Sequence, residues 1–211
     1  MTAATSSPVD AVIFDLGGVC IQWDPRRLFR TLLPDDAAVE AFLEEVAFLE
    51  WNALHDAGQP FAQGVAELSR RFPHHAELIA AYPERFAETL GGPIAGTVEV
   101  VEQLHRDGVR LLALTNWSAE VFHHGRAQMP FLDGFEAVVV SGELRMAKPD
   151  PRIFRHVVDR FDLDPPRTVF IDDSPANVAA AEQVGLDAIR FTDPAALRAA
   201  LVSRGLLAAA T

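Results

Sequence analysis

Short strand-like runs, mostly apolar, recur along the chain at Val9–Phe14, Val109–Leu114, Ala137–Val140, Thr168–Ile171 and Asp187–Phe191. Between and after them lie stretches whose apolar positions repeat every three to four residues: Val98–Arg106, Ala119–Gln128, Pro151–Phe161, Ala176–Val184 and Pro194–Arg204. Continuous apolar runs mark strands buried on both faces, and amphipathic spacing marks the helices that cover them. The alternation predicts an α/β fold built on a doubly wound parallel sheet. Gly108, Gly185 and Gly205 stand where helices should stop, and Thr192 or Asp193 ahead of Pro194 reads as a helix start.

One stretch breaks the alternation. From Asp24 to about Leu90 no good strand occurs, only helical patterns at Ala38–Phe48, Phe61–Phe72 and His75–Phe86. The simplest account is a helical domain, residues 23–91, inserted into a core made of residues 8–22 and 92–211. Gly91-Gly92-Pro93 would be its exit linker, and Phe42, Phe48, Trp51 and Phe61 would form its own core, with one or two of them facing a substrate. An insertion directly after the first strand sits over that strand's exit as a lid.

That exit carries the chemistry. The first run ends in Asp15-Leu16-Gly17-Gly18, a carboxylate followed by paired glycines that allow close backbone approach. The second strand ends in Thr115-Asn116, the fourth in Asp172-Asp173-Ser174, and Lys148 opens a helix between them. Parallel strands bring all these ends to one edge. There a carboxylate can attack phosphorus, separated carboxylates can hold Mg²⁺, and hydroxyl, amide and ammonium groups can stabilise phosphoryl oxygens.

These four segments, in this order, resemble the haloacid dehalogenase superfamily with a helical cap after its first motif. The resemblance implies a Rossmann-like core, an Asp15 nucleophile, and phosphate binding by Thr115 and Asn116 with Gly18 close by. It implies Lys148 as the neutralising lysine and Asp173 as a metal ligand, with Asp172 backing it or sharing the ion. Mg²⁺ would be completed by Asp15 and the Gly17 carbonyl. Most phosphatases of the superfamily carry a second Asp at the Gly17 position, where it protonates the leaving oxygen, a service worth about 10²–10⁴-fold. The Asp-Leu-Gly pattern is similar to a sugar-phosphate phosphatase branch that includes α-D-glucose-1-phosphate phosphatase. A small phosphorylated metabolite is the implied substrate. Asp24 is a candidate replacement acid, though capping a helix ahead of Pro25 is its blander role.

Two other readings stay open. A metal-free 2-haloacid dehalogenase would need no acid at position 17, but Asp172-Asp173 argues for phosphate. A non-catalytic ligand- or partner-binding protein has only Gly17 in its favour. Trp117 either shapes the pocket mouth or packs, Asp172-Asp173 could cap the helix near Pro175, and Asn177 either caps or contacts metal. The pairs His74-His75 and His123-His124 read as surface residues, because neighbours on a helix point to different faces.

Composition narrows the setting. The 211 residues are 49% hydrophobic, enough for a sizeable core, and the net charge of −12 argues against nucleic acid as a partner. Cys20 is the single cysteine, so no internal disulfide is possible, and its apolar neighbours suggest a packed side chain. No apolar run reaches the roughly 18 residues of a membrane span, and Met1–Ser7 lack the features of a secretory signal. A cytoplasmic protein, monomeric or homodimeric, is the expectation.

Overall fold

The structure, a computed structural model, describes residues 9–208. The expectations about Met1–Ser7 and the first residue of the 8–22 segment fall outside that range. The strands are β1 (Ala11–Phe14), β2 (Ile21–Trp23), β3 (Leu90–Pro93), β4 (Arg110–Thr115), β5 (Ala137–Val140), β6 (Thr168–Asp172) and β7 (Asp187–Arg190). Five of them form one parallel sheet in the order β5-β4-β1-β6-β7. All five correspond to apolar runs in the sequence, with ends shifted by one or two residues.

The chain leaves β2 for the helices α1 (Arg26–Phe29), α2 (Asp36–Glu45), α3 (Phe48–Asp56), α4 (Phe61–Arg71) and α5 (Ala76–Glu84), and returns through β3. The rest of the chain adds α6 (Ala95–Arg106), α7 (Phe122–Arg126), α8 (Ser141–Leu144), α9 (Pro151–Arg160), α10 (Pro175–Gln183) and α11 (Pro194–Ser203). Successive residues of each sheet strand point to opposite faces. Val12, Phe14, Leu111, Ala113, Val169 and Ile171 accordingly pack with α6 and α11. Ala11, Ile13, Leu112, Leu114 and Phe170 pack with α9 and α10 on the other face. This is the expected doubly wound, Rossmann-like α/β architecture with helices inserted after its first strand.

The helix starts follow local chemistry. Asp193 accepts a hydrogen bond from the Ala196 amide ahead of Pro194, and Asp150 accepts one from Arg152 ahead of Pro151. Three sequence expectations are corrected. Gly91-Gly92-Pro93 is no linker, because residues 90–93 form β3, which pairs antiparallel with β2 as a ribbon. The ribbon joins insertion to core and spans the expected domain boundaries. The helix expected over Ala38–Phe48 ends at Glu45, since Ala47 adopts a left-handed φ of 50° and starts the separate helix α3. The helix expected over Ala119–Gln128 shrinks to the five residues of α7.

Phe42, Phe48, Trp51 and Phe61 are buried, as expected of the insertion's core. They gather with Phe29 around Tyr82, with ring centroids 4.8 Å apart for Phe48–Tyr82 and 5.7 Å for Trp51–Tyr82. Edge-on contacts of this kind add to the stabilisation from burial. Cys20 is fully buried. Among the described residues no helix is long and apolar enough to cross a membrane.

Candidate active site

In the sheet, β1 lies between β4 and β6, where the strand order reverses, so the carboxyl ends of these three strands open on one crevice. Asp15 is the first residue past β1, and its amide donates to the Ile171 carbonyl at 2.8 Å, which fixes the exit against β6. Its Oδ1 accepts from the Leu16 amide at 2.7 Å and lies 3.0 Å from Lys148 Nζ. No hydrogen bond from a described residue reaches Oδ2, and Asp15 lines a cavity of about 400 Å³. One oxygen is held and the other is free.

Lys148 is buried with Nζ fully engaged. It donates to the Leu114 carbonyl at 2.8 Å and to Asp172 Oδ2 at 2.7 Å, besides its pairing with Asp15. Asn116 holds the lysine in place: Lys148 N donates to Asn116 Oδ1 at 2.9 Å, and Asn116 Nδ2 donates to the Lys148 carbonyl at 2.8 Å. The resemblance implied only a phosphate contact for Asn116, and this positioning task was not expected. Asp172 is likewise committed. Its oxygens accept from Lys148, the Ser174 amide and Asn177 Nδ2, so Asn177 orients this loop.

Electrostatics follow from burial. Burial pushes the Asp15 carboxyl up to about 7, against the pull of Lys148 and with the like charge of Asp172 adding to the rise. Burial alone would lower Lys148, but the carboxylates of Asp15 and Asp172 outweigh it and hold its pKa above the ordinary value. Burial, then the charge of Asp172, also raises Asp173.

Carboxylate oxygens of Asp15, Asp172 and Asp173 lie within 4.8 Å of one another, an all-oxygen donor set suited to a hard divalent cation. The hydrogen bonds on Asp172 leave Asp15 and Asp173 as the available side chains. Gly18 has a φ of 77°, and a Cβ there would stand 2.6 Å from Asp173 Oδ2, so glycine is required. Gly17 is different: its φ is not left-handed, and a Cβ would meet nothing within 4 Å. Thr115 Oγ1, at the carboxyl end of β4, is buried with no partner among the described residues.

The insertion supplies the roof. Trp23, Phe61, Tyr82 and Phe86 line the cavity, joined by Trp117 and Val121 from the core, so Trp117 does shape the pocket. Asn52 and Asp56 are the polar residues that face it from α3. Tyr82 Oη donates to Asn52 Oδ1 at 2.7 Å, and Asn52 Nδ2 donates to Asp56 Oδ2 at 3.0 Å. The Ser118 amide lies near the Asp56 carboxylate and favours its charged form. Ser141 Oγ donates to the Asp56 carbonyl at 2.6 Å and anchors this end of α3 to the core. No feature of the sequence singled out Asp56.

Asp24 is not brought to the site. It caps the Arg26 amide at 3.0 Å, pairs with Arg26 and Arg30, and does not line the cavity. The helix-start role is the observed one. His74 and His75 do not diverge as expected: in the short turn Pro73–His75 both Nε2 atoms reach Glu45, one oxygen each, at 3.0 Å.

The family model for haloacid dehalogenase-like hydrolases matches residues 9–185. A sesquiterpene phosphatase of Aspergillus oryzae is 27% identical over 189 residues, covering 87% of this chain and 90% of that protein. A phosphoglycolate phosphatase of Cupriavidus necator is 28% identical over 203 residues, covering 87% of this chain and 81% of its own length. A HAD family enzyme of Bacteroides thetaiotaomicron, solved with magnesium and inorganic phosphate, superposes with a TM-score of 0.65. It is 22% identical and covers 88% of this chain and 95% of its own.

Proposed function

The chain belongs to the haloacid dehalogenase-like hydrolases, and on that premise we propose that it is a magnesium-dependent phosphatase acting on a small phosphorylated metabolite. The observation that carries this reading is Asp15, with Oδ1 pinned by Lys148 and Leu16, Oδ2 free in the cavity, and Asp173 beside it. The phosphatase relatives and the magnesium–phosphate complex of the structural neighbour support it.

Asp15 Oδ2 attacks phosphorus, the bond to the leaving oxygen breaks, and water then cleaves the aspartyl phosphate to regenerate the carboxylate. Thr115 Oγ1 offers a donor to the phosphoryl oxygens, Lys148 supplies positive charge beside them while it holds Asp15, and Asn116 keeps the lysine in register. Asp15 and Asp173, with the Gly17 carbonyl, would hold Mg²⁺, which neutralises phosphate charge and favours the ionised nucleophile. The helical insertion, residues 23–91, acts as a cap that closes over the phosphate and selects its alcohol. Its aromatic walls suit the C–H face of a sugar ring, the implied sugar phosphate. They equally admit an apolar alcohol, because the hydroxyl of Tyr82 and the amide of Asn52 already bond within the cap.

A 2-haloacid dehalogenase would have to bring a substrate carboxylate beside Asp173 with no cation between them, which like-charge repulsion opposes. A non-catalytic binding protein has no use for the free Asp15 Oδ2. The test is phosphate release from hexose phosphates, phosphoglycolate and isoprenyl phosphate with Mg²⁺ or EDTA, run beside halide release from 2-chloropropionate. Metal-dependent phosphate release, abolished in Asp15→Asn, is expected. Halide release unaffected by EDTA overturns the proposal.

A further inference from the structure

Gly17 leaves the reaction without the acid that would protonate the leaving oxygen, and the space beside it is open. Three acidic side chains line the cavity: Asp15, Asp173 and Asp56. The first two belong to the nucleophile and the cation. Asp24 is tied to arginines elsewhere.

We propose that Asp56, at the carboxyl end of α3 in the cap, is the general acid–base of this site, in place of the missing acid at position 17. The inference rests on the phosphatase reading above. Three observations support it. Asp56 faces the cavity and has no ion-pair partner among the described residues. Its carboxylate shares the cavity with Asn116, Trp117 and Ser118, the loop that follows Thr115, where the phosphoryl group would sit. The bond from Ser141 Oγ to the Asp56 carbonyl and the Tyr82–Asn52–Asp56 chain set its position from both sides.

A second carboxylate beside a phosphate dianion is tolerable only if it carries a proton. Burial pushes the Asp56 carboxyl up to about 7, with the Ser118 amide and Lys148 pulling the other way. The charged and titratable groups facing it are Lys148, Asp15 and Asp173 on the floor and Tyr82 in the cap. A group titrating near neutrality can donate in one step and accept in the next. As Asp15 Oδ2 bonds to phosphorus and the phosphorus–oxygen bond breaks, the Asp56 proton passes to the departing alkoxide. Asp56, now a carboxylate, removes a proton from the water that attacks the aspartyl phosphate, and so recovers its own.

The test compares kcat/KM with Mg²⁺ on an alkyl phosphate and on p-nitrophenyl phosphate, whose leaving group needs no proton. In Asp56→Asn the alkyl ester should lose about 100-fold or more, while p-nitrophenyl phosphate changes by less than about threefold. Asp56→Ser, which keeps a hydrogen-bond partner for the Ser118 amide without a titratable group, should show the same split. Adding Gly17→Asp to either variant should restore part of the alkyl activity, because a side chain at position 17 has room. Equal losses on both esters, or no loss on the alkyl ester, overturn the role of Asp56 while leaving the phosphatase reading intact. A wild type that releases phosphate from neither ester overturns both.

Discussion

Replacing Asp56 with Asn should stabilise the protein at alkaline pH and not at acid pH. The Asp56 carboxyl rises from 3.8 to about 7 on folding, mainly through burial. A carboxyl whose pKa is raised in the fold contributes stability that is present in full below its unfolded pKa and is lost as pH rises through the folded one. At about 1.4 kcal/mol for each tenfold in proton affinity, the wild type would forfeit about 4 kcal/mol above pH 8. Water reaches the cavity, so about half of that, roughly 2 kcal/mol, is the working figure. Asn carries no such burden, but it offers one acceptor oxygen to two donors, Asn52 Nδ2 and the Ser118 amide, which costs about 1 kcal/mol. The variant should therefore gain about 1 kcal/mol near pH 8.5 and come close to the wild type near pH 5, where the unfolded carboxyl is already ionised and the wild type has forfeited roughly 1 kcal/mol. For a chain of this size the swing between the two is about 2–4 °C in relative Tm. Differential scanning calorimetry of both proteins in EDTA reads it directly, since every other titrating group is common to the pair. A Tm difference that stays flat between the two pH values, or falls as pH rises, refutes the claim that burial governs this carboxyl.

Other substitutions probe the floor and the cap. Gly18→Ala forces a Cβ to within 2.6 Å of Asp173 Oδ2 at a φ of 77°. Titration calorimetry should show Mg²⁺ affinity falling by about tenfold or more. Asp24→Asn should leave kcat/KM within about twofold on any substrate and cost less than about 1 kcal/mol in urea unfolding, because only exposed ion pairs are lost. Gly64→Ala sets a methyl 2.2 Å from His55 Cε1 in the packed cap and should lower stability by about 1–3 kcal/mol in the same measurement.

The core was readable because its strands are buried on both faces, which forces continuous apolar runs into the sequence, and because parallel strands deliver their exits to one edge. Asp15, Thr115 and Asp173 could be grouped from that rule, although they lie up to 158 residues apart in number, whereas Lys148, at a helix mouth, joined them through the resemblance. The cap resisted for physical reasons. Ala47 takes a left-handed φ with no glycine or asparagine to announce it, so the expected helix ran through the break and α3 went unread. Residues 90–93 look like a loop by composition, and only pairing with β2 makes them a strand. Asn116 and Asp172 take their tasks from Lys148, whose ammonium arrives from a distant segment.

Asp56 shows the same limit at the point where it matters for chemistry. In the sequence it is one acid in a stretch where no element was expected, indistinguishable from a solvated one. Its environment is made by tertiary docking: Ser141 Oγ seats the end of α3 on the core, and the Ser118 amide then meets the carboxylate. Gly17 needs the complementary argument. Sterics demand glycine at position 18, where a Cβ would strike Asp173, but not at position 17, where a Cβ would meet nothing within 4 Å. The gap at 17 is therefore chemical, a side chain left out where one would fit. An acid on the floor is fixed relative to the nucleophile at all times, whereas one on α3 is present only while the cap is docked. Under the proposed cap role, an acid carried on α3 would couple proton transfer to closure, so a substrate that failed to hold the cap in place would leave the acid, as well as the water barrier, out of position.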